Sequence, residues 1–322
     1  MKKSPLNVFI VPTGVGASIG GYAGDASGAA RMFSKIGKLI VNPNVVNAAV
    51  FSGIDDNMLY TEGYIIDEFF KGNIALRESK NNKIGVIFDK SIPEYVLNIH
   101  INTINAVKTV YGIDIFDYEI TEEPAGVEFF VNENGISSGT VQNADTLINA
   151  GNNLKNKGAQ ALGVVCLFDN SDDEAYENAD GVDPVGGVEG IISHIISREL
   201  KLPCAHAPAF SDISIPTRIV SEKAAAEYIT PTFLPCILLG LNNAPQIVSF
   251  DEKQDSDYCI DDVNSLIIPF NSLGSIPVLQ AAERGIKIFA VKENSTILDV
   301  NAASLGLDVM EVETYKDVLK SL

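Results

Sequence analysis

A glycine-rich run between a strand-like and a helix-like segment constrains the fold of this chain most strongly. The run is GVGASIGGYAGD at residues 14–25, and it follows an apolar segment and precedes a helical pattern at residues 26–36. Five glycines within eleven residues are costly in chain entropy, so such a run is typical of tight turns or of backbone that approaches a ligand. Because the free N–H groups at the start of a helix favour an anion, the run predicts half of a binding site.

The composition argues against several classes of partner. Apolar residues make up 46% of the 322 residues, which is enough for a large core, and the net charge is −19. Such a charge argues against binding to nucleic acid or to an anionic membrane surface. No segment approaches the roughly 20 apolar residues that span a bilayer. The apolar run after the first lysines is short, so it predicts a buried strand rather than a signal peptide.

Four cysteines are scattered along the chain without the spacing of a metal site or a disulfide framework. This usage is typical of a protein in a reducing compartment. We therefore expect a cytoplasmic location, with a small molecule rather than a nucleic acid or a membrane as the partner.

Strand-like and helix-like segments alternate along most of the chain. Apolar segments at residues 38–41, 83–88 and 161–168 are flanked by segments of helical periodicity at residues 93–111 and 185–200. This alternation predicts an α/β, Rossmann-like fold: a mostly parallel sheet, or sheets, with helices on both faces. In such folds ligands lie at the carboxyl ends of the strands.

A polar stretch at residues 132–139 predicts a boundary between two lobes, an N-terminal one of residues 1–135 and a C-terminal one of residues 136–322.

Two further local predictions rest on short apolar runs. Residues 115–120 and 127–131 are expected to pair as a hairpin, and residues 233–241 are expected to form a strand.

The glycine loop is close to the dinucleotide-binding fingerprint but departs from it. Gly14, Gly16 and Gly20 form GxGxxxG, whereas the helix begins later, near Asp25, which is expected to cap it. The second strand ends without the carboxylate that would hold a ribose. Three interpretations stay open: a cradle for another anion or a phosphate, a structural turn, and classical NAD binding. Asn44 follows the second strand and is expected to lie beside the loop.

A second glycine-rich helix start lies at residues 181–194, GVDPVGGVEGIISH. Asp183 is expected to cap the helix, and Gly186 and Gly187 leave its first turn open to a ligand. The alternative is a capped helix that serves structure alone.

Side chains on this helix and the strand after it could carry chemistry. Glu189 and Ser193 share a helix face, whereas His194 lies about 140° around the helix from Glu189. Cys204 and His206 point to the same side of a strand, as a nucleophile and its base or two metal ligands would. We expect Cys204, His206, His194 and Glu189 to be catalytic, with buried structural roles as the alternative. Their spacing matches no standard metal motif, so no metal is assigned.

The strings PTGVGASIGGYAGDA, NPNVVNAA, EGYIID, GVDPVGGVEGIISH, PCAHAPAF and TFLPC resemble a family of unknown function with members in cyanobacteria, other bacteria and plants. The resemblance covers nearly the whole chain and implies no activity. It implies a shared pattern that includes Gly14, Gly16, Gly20, Gly21, Asp25, Asn44, Glu62, Asp183, Glu189, His194, Cys204 and His206. Some members have histidine at the position of Asn42. Residues 157–166 also look like the strand before a catalytic cysteine of Asp/Glu racemases, without that family's following Asn-Thr or its second cysteine motif.

The leading hypothesis is an enzyme of hydrolase or lyase type that binds a small anionic or phosphate-bearing metabolite between the two glycine-rich helix starts. The expected binding residues are Gly14, Gly16, Gly20, Gly21, Asp25, Asn44, Asp183, Gly186 and Gly187. The alternatives are a non-catalytic metabolite-binding or sensor protein, an NAD(P)-linked oxidoreductase and a two-cysteine, racemase-like isomerase. The sequence assigns no cofactor, and a homodimer is the common arrangement for a chain of this kind.

Overall fold

Two parallel β-sheets organise the chain in the computed structural model, which describes residues 3–169 and 174–322. The described strands are, in chain order, β1 (Leu6–Phe9), β2 (Lys38–Val41), β3 (Asn47–Ala48), β4 (Phe51–Ser52), β5 (Met58–Tyr60), β6 (Ile74–Arg77), β7 (Ile84–Phe88), β8 (Ile115–Ile120), β9 (Val127–Val131), β10 (Ser137–Val141), β11 (Ala161–Phe168), β12 (Cys204–Phe210), β13 (Gln246–Ser249), β14 (Val263–Pro269), β15 (Lys287–Val291) and β16 (Met310–Val312).

The described α-helices connect these strands. They are α1 (Ser27–Phe33), α2 (Pro43–Val46), α3 (Gly63–Phe70), α4 (Glu94–Tyr111), α5 (Ala144–Asn156), α6 (Glu174–Glu177), α7 (Gly186–Leu200), α8 (Leu234–Asn242), α9 (Ile276–Glu283), α10 (Ala302–Leu305) and α11 (Tyr315–Ser321). Short 3-10 helices lie at Ala225–Ile229, Phe250–Glu252 and Ile260–Asp262.

The first sheet joins the two ends of the chain. Its six strands lie in the order β16-β15-β14-β1-β2-β5, and every neighbouring pair is parallel. In the centre of this sheet Leu6 of β1 is aligned with Val263 of β14. The second sheet comes from the middle of the chain, in the order β12-β11-β7-β8, and is also parallel throughout. The predicted mostly parallel α/β, Rossmann-like fold is thereby confirmed.

Helices cover both faces of the first sheet because both faces of its strands are apolar. On one face Phe9 of β1 makes edge-to-face contacts with Phe33 of α1 and Tyr315 of α11, at centroid distances of 5.7 and 5.1 Å. On the other face Val8 belongs to the same apolar cluster as Phe69 of α3, and α9 packs there too.

The second sheet is covered in the same way. One face shares an apolar cluster with α5 and α7, and the opposite face shares one with α4 and α8. Glycine ends the long helix α4, as the sequence predicts: Gly112 takes a left-handed conformation with φ +69°.

The predicted strand at residues 233–241 is wrong, because this segment forms helix α8. The run is apolar at nearly every position, so its periodicity does not distinguish a buried helix from a buried strand. Pro235 lies in the first turn of the helix, where its missing N–H costs nothing.

The predicted hairpin of residues 115–120 and 127–131 is also wrong. β8 pairs parallel with β7, whereas β9 pairs antiparallel with β10, with Val131 opposite Ser137. The polar stretch after β9 is the turn of that hairpin: Asn132 Oδ1 accepts from the N–H groups of Asn134 and Ile136, and Gly135 has φ +79°.

Both parallel sheets contain strands from each side of residue 135 in the chain. β1 and β14 are neighbours in the first sheet, and β7 and β11 are neighbours in the second. The division into lobes of residues 1–135 and 136–322 therefore does not coincide with the division into sheets, and as a statement about folding units it stays a prediction.

Candidate functional site

A cavity of about 990 Å³ lies at the carboxyl ends of strands of the first sheet and reaches β12 and α7. Pro12 follows β1, Pro43 follows β2 and Glu62 follows β5, and all three line the cavity. Ligands of open α/β sheets bind at this edge. Among the residues expected from the sequence to form the site, those that line the cavity are Gly21, Asn44, Asp183, Gly186, Gly187, Glu189, His194 and His206.

His206 lies between two side chains of helix α7. Its Nδ1 atom is 2.9 Å from Ser193 Oγ, and its Nε2 atom is 3.8 Å from Glu189 Oε2. The Ser193 hydroxyl can donate to the carbonyl oxygens of Glu189 and Gly190 at 3.4 and 3.3 Å, as helical serines often do. The roles of donor and acceptor between Ser193 and Nδ1 depend on the tautomer of His206. In the tautomer with the proton on Nδ1, Ser193 accepts from Nδ1–H, and the Nε2 lone pair faces Glu189 and the cavity.

Burial keeps the imidazole and the carboxyl of this pair neutral. It lowers the pKa of His206 to about 4, and burial followed by the negative charges of Asp183 and Glu227 raises the pKa of Glu189 well above its usual range. Glu189 is 6% exposed, and its Oε1 atom has no hydrogen-bond partner among the described residues. Burial thus favours the unprotonated form of the His206 base and the protonated form of the Glu189 acid.

A second carboxyl–imidazole pair lines the cavity at the start of α3. Glu62 caps this helix by accepting from the Tyr64 N–H at 2.8 Å, and its Oε1 atom is 3.9 Å from His194 Nδ1. Burial raises the pKa of Glu62 to about 8. The pKa of His194 is lowered by burial, followed by the positive charges of Arg198 and Lys71. The sequence offers Glu62 as a plausible acid near the site and as part of the family pattern, but nothing local pairs it with His194.

Cys204 lies in the apolar core beneath α7 and is not part of the cavity lining. It is 1% exposed, and burial raises the pKa of its thiol well above the usual range. A protonated, enclosed thiol is a poor nucleophile. Cys166, on which the racemase-like alternative depends, is buried in the same way. Cys236 of α8 lines the cavity. The sequence did not indicate this position, because the segment was predicted to be a strand and not a helix.

The amides of the first glycine-rich segment donate within the protein. Ser18 N–H donates to Ser295 O at 2.7 Å, and Ile19 N–H donates to Asn294 Oδ1 at 3.0 Å. The N–H of Gly20 donates to Asp25 Oδ1 at 2.5 Å. These bonds support the structural-turn interpretation of the loop.

The expectation that Asp25 caps α1 is wrong. The N-cap is Ala26, which makes no side-chain capping bond, while the Asp25 carboxylate turns back to close the glycine loop. Gly14, Gly16 and Gly20 lie outside the cavity lining, each with positive φ, and Asp25 lines a smaller hollow next to Tyr315.

The two glycine-rich segments do meet, with Ser137 of β10 between them. A Cβ atom on Gly14 would lie 3.3 Å from the Gly187 nitrogen and 3.1 Å from Ser137 Cβ. The Gly187 N–H donates to Ser137 Oγ at 3.0 Å, and the Val185 N–H donates to Asp183 Oδ1 at 3.0 Å. Protein acceptors therefore satisfy these first amide groups of α7.

Asparagines hold the end of β1 at the cavity. Asn42 Nδ2 donates to Val11 O at 2.8 Å while its Oδ1 accepts from Val11 N–H at 3.0 Å. Asn44 Nδ2 donates to Pro12 O at 3.1 Å. Both side chains thus position the lining of the cavity through backbone contacts.

Tyrosines and carboxyl groups form one wall of the cavity. Tyr22 and Tyr176 have ring centroids 4.8 Å apart, and Tyr228 packs against this cluster. Tyr176 is hydrogen-bonded to Glu227, whose pKa burial raises to about 8. No local pattern in the sequence marks these residues. Within the described ranges, no group of three or more His, Cys, Asp or Glu side chains could hold a metal ion.

Comparisons with known proteins find relatives without an assigned activity. A family model described as a protein of unknown function, DUF3326, matches residues 6–322. An uncharacterised lipoprotein of a Synechococcus species is 35% identical, over 98% of this chain and 89% of its own. No solved structure matches the chain at a significant level.

The name of the lipoprotein relative is evidence about the cellular location of this chain. The expected cytoplasmic location is wrong, because the name of a relative that aligns with nearly the whole chain points to a membrane anchor or a place outside the cytoplasm. Across residues 3–169 and 174–322, no helix is both long and apolar enough to cross a membrane.

Proposed function

The chain belongs to the DUF3326 family, whose function is unknown, and from that premise we propose that it is an enzyme that performs acid–base chemistry on a small polar metabolite. The reaction is of lyase or hydrolase type, and the reacting group lies beside His206 and Glu189 in the cavity. Cys204 takes no part, because it is buried outside the lining, and burial raises the pKa of the cavity-lining Cys236 to about 12, which disfavours its thiolate.

The observation that carries this proposal is the position of His206 between Ser193 and Glu189. Ser193 holds Nδ1, so the Nε2 atom is free to take a proton from the metabolite or from a water molecule. The low pKa of His206 keeps this atom unprotonated at neutral pH. The protonated Glu189 carboxyl, 3.8 Å away, can return a proton to a leaving oxygen or to carbon. One proton is taken and one is given, so the step balances.

Glu62 and His194 provide a second proton-carrying pair in the same cavity. Glu62 is held by its capping bond to Tyr64 N–H, whereas His194 is more exposed, with 41% of its side chain accessible. We assign this pair to orientation of the metabolite and to proton exchange with solvent.

The test compares two site variants with a matched control on the same helix. Protein is incubated with a bacterial metabolite extract, and masses that appear or disappear are recorded by liquid chromatography and mass spectrometry. His206→Gln and Glu189→Gln are expected to abolish the change, whereas Glu199→Gln, on the exposed side of α7, is expected to preserve it. The proposal fails if the site variants are folded and convert the same metabolites at the wild-type rate.

A non-catalytic binding protein is the second candidate. The cavity is lined by elements of both sheets and can hold a ligand without any reaction, and the relative named as a lipoprotein favours a place at a membrane. In that case the same incubation yields a retained metabolite, detected by native mass spectrometry, with no product.

The expected anionic or phosphate-bearing metabolite stays a prediction. Amides of both glycine-rich segments, among them those of Ser18, Gly20 and Gly187, already donate to protein acceptors, and carboxyl groups are numerous in the lining. Our proposal therefore does not include an anion cradle.

A further inference from the structure

Two carboxyl–imidazole pairs in the cavity are separated by almost the same distance. Glu62 Oε1 is 3.9 Å from His194 Nδ1, and Glu189 Oε2 is 3.8 Å from His206 Nε2. Both distances exceed that of a hydrogen bond, whereas one oxygen atom can lie about 2.8 Å from both members of such a pair. Each pair therefore has the spacing that a single bridging oxygen requires.

The carboxyl oxygens that face these two gaps have no partner among the described residues. No hydrogen bond within this part of the chain reaches Glu62 Oε1 or Glu189 Oε2, and neither atom is sealed from the cavity as Glu189 Oε1 is. The Glu62 side chain lines the cavity and is only 4% exposed, so its free oxygen is held in the interior. A buried polar atom of this kind calls for a bond from water or from a ligand.

Gly190 lies between the two pairs on the surface of α7. Ser193, which contacts His206, is about 60° around the helix on one side of Gly190, and His194 is about 40° on the other. Gly190 lines the cavity, and nothing lies within 4 Å of its Cβ position. Glycine inside a helix is less favourable than alanine, and no neighbouring atom requires it here. A ligand that crosses Gly190 from one pair to the other would explain this residue.

The four groups of the two pairs favour a neutral partner that both donates and accepts. Burial raises the pKa of Glu62 to about 8 and that of Glu189 well above its usual range. It also lowers the pKa of both His194 and His206. A hydroxyl group donates through its hydrogen and accepts through its lone pairs, so it can bridge a carboxyl–imidazole pair whichever member holds the proton.

We propose that the metabolite bound in this cavity is a polyol or a sugar. One hydroxyl lies between Glu62 and His194, and a second lies between Glu189 and His206. The carbon skeleton crosses Gly190, where the missing side chain leaves space for it. The inference deepens the proposed function and rests on it in one respect, because the hydroxyl at His206 is the group on which the acid–base step acts.

The first experiment measures binding without turnover. The full chain is titrated at pH 7 with xylitol, D-glucitol, myo-inositol and D-glucose, and long-range proton–nitrogen NMR spectra follow the histidine rings. The matched compounds with one hydroxyl are 1-pentanol and cyclohexanol. At least one polyhydroxylated compound is expected to shift the signals of both His194 and His206, while His100, buried in α4 outside the cavity lining, stays unchanged. The proposal is wrong if none of the four compounds shifts both rings, or if a one-hydroxyl compound does so at the same concentration.

The second experiment fills the space at Gly190. Gly190→Leu is expected to weaken binding of the polyhydroxylated compound about tenfold or more, because its side chain occupies the path between the two pairs. Gly190→Ala, whose methyl group meets no atom within 4 Å, should weaken binding in the same direction without loss of stability. The matched control is Gly28→Leu, at an exposed position of α1 that is equally open and lies outside the cavity lining. Wild-type affinity in folded Gly190→Leu overturns the inference.

The third experiment removes one bridge. His194→Phe keeps a ring in contact with Tyr64, whose ring centroid is 5.2 Å from that of His194, and removes both nitrogens. The variant is expected to bind the polyhydroxylated compound about fivefold more weakly, as for loss of one hydrogen bond, and to retain the shift of the His206 signals at higher ligand concentration. Unchanged affinity in this variant contradicts a hydroxyl between Glu62 and His194 and overturns the proposal.

Binding and turnover together separate this inference from the proposed function. Binding of a polyhydroxylated compound without any metabolite conversion contradicts the proposed function alone. Conversion of a metabolite that carries fewer than two hydroxyl groups contradicts this inference alone.

Discussion

The Nδ1 atom of His206 lies 2.9 Å from the hydroxyl oxygen of Ser193, and this contact selects the nitrogen that faces the cavity. Ser193 is 1% exposed and lies on α7, whereas His206 lies on β12. The orientation of the His206 ring on β12 therefore depends on how α7 packs against this strand. The assignment of Nε2 as a base follows from it.

Replacing Ser193 tests that relationship directly. Ser193→Ala is expected to release the tautomer of His206 and to cost about 1 kcal/mol of unfolding free energy through the lost hydrogen bond. Long-range proton–nitrogen NMR spectra report the tautomer, and they are simple to assign because the chain has three histidines.

Ser197→Ala is the matched control for this prediction. Ser197 is buried one turn further along α7, and its hydroxyl has no hydrogen-bond partner among the described residues. Its removal should leave the His206 signals unchanged. A mixed tautomer in the wild type, or identical spectra for the wild type and Ser193→Ala, contradicts the assignment.

Gly187 is expected to tolerate no side chain. A Cβ atom there would lie 2.1 Å from the carbonyl oxygen and 2.4 Å from the carbonyl carbon of Ser137, which belong to backbone. Gly187→Ala should therefore lower the unfolding free energy by about 1–3 kcal/mol or more, measured by urea denaturation. Gly190→Ala is the control on the same helix, since nothing lies within 4 Å of its Cβ position. It should change stability by no more than about 1 kcal/mol, in the stabilising direction.

Glu62 is expected to make the protein less stable as the pH rises. Burial raises its pKa from an ordinary value of 4.5 to about 8, so between these values the folded protein holds a proton that the unfolded chain has lost. Its contribution is therefore fully present below pH 4.5 and declines by at most roughly 1.4 kcal/mol per pH unit as the pH rises towards 8. Glu62→Gln should remove that slope.

The control for this prediction lies on the same helix. The pKa of Glu68 is lowered: burial opposes the shift, but hydrogen bonds from Lys71 and Asn73 outweigh it. Glu68→Gln should therefore leave the downward slope in place. Parallel stability–pH curves for the wild type and Glu62→Gln would show that Glu62 titrates normally.

The thiol of Cys204 is expected to be unreactive in the folded protein. Cys204 is buried outside the cavity lining, so a disulfide reagent such as DTNB should react with it only after denaturation. Cys204→Ala should cost about 1 kcal/mol of stability for the lost apolar contact and leave metabolite conversion unchanged. If a folded Cys204→Ala variant no longer converts the metabolite, the Cys204 thiol is needed for the reaction and this prediction is wrong.

Many boundaries of helices and strands follow from the sequence. The strands at Lys38–Val41, Ile115–Ile120 and Ala161–Phe168 begin and end where the sequence predicts. Each run is short and is bounded by polar residues, glycine or proline, so local signals suffice. The segment at residues 233–241 is the exception, because a run that is apolar on all sides carries no period.

The candidate site could be predicted in part. Glu189, in the first turn of the helix after the second glycine-rich segment, and His206, on the strand that follows this helix, are expected from the sequence to be catalytic, and both line the cavity. Ser193 was seen only as a neighbour of Glu189 on the helix. Glu227 and Tyr176 carry no local signal at all, since each is brought to the cavity by a long connection.

The sequence by itself determined the kind of most elements and the positions of the glycine-rich turns, because these depend on residues a few positions apart; the segment at residues 233–241 is the exception. Tertiary structure alone decided that β1 lies beside β14, that Asp25 closes the loop instead of capping a helix, and that His206 meets Ser193. The physical reason is that a hydrogen-bond partner is selected by the packing of whole layers, and residues distant in the chain meet only once those layers are assembled.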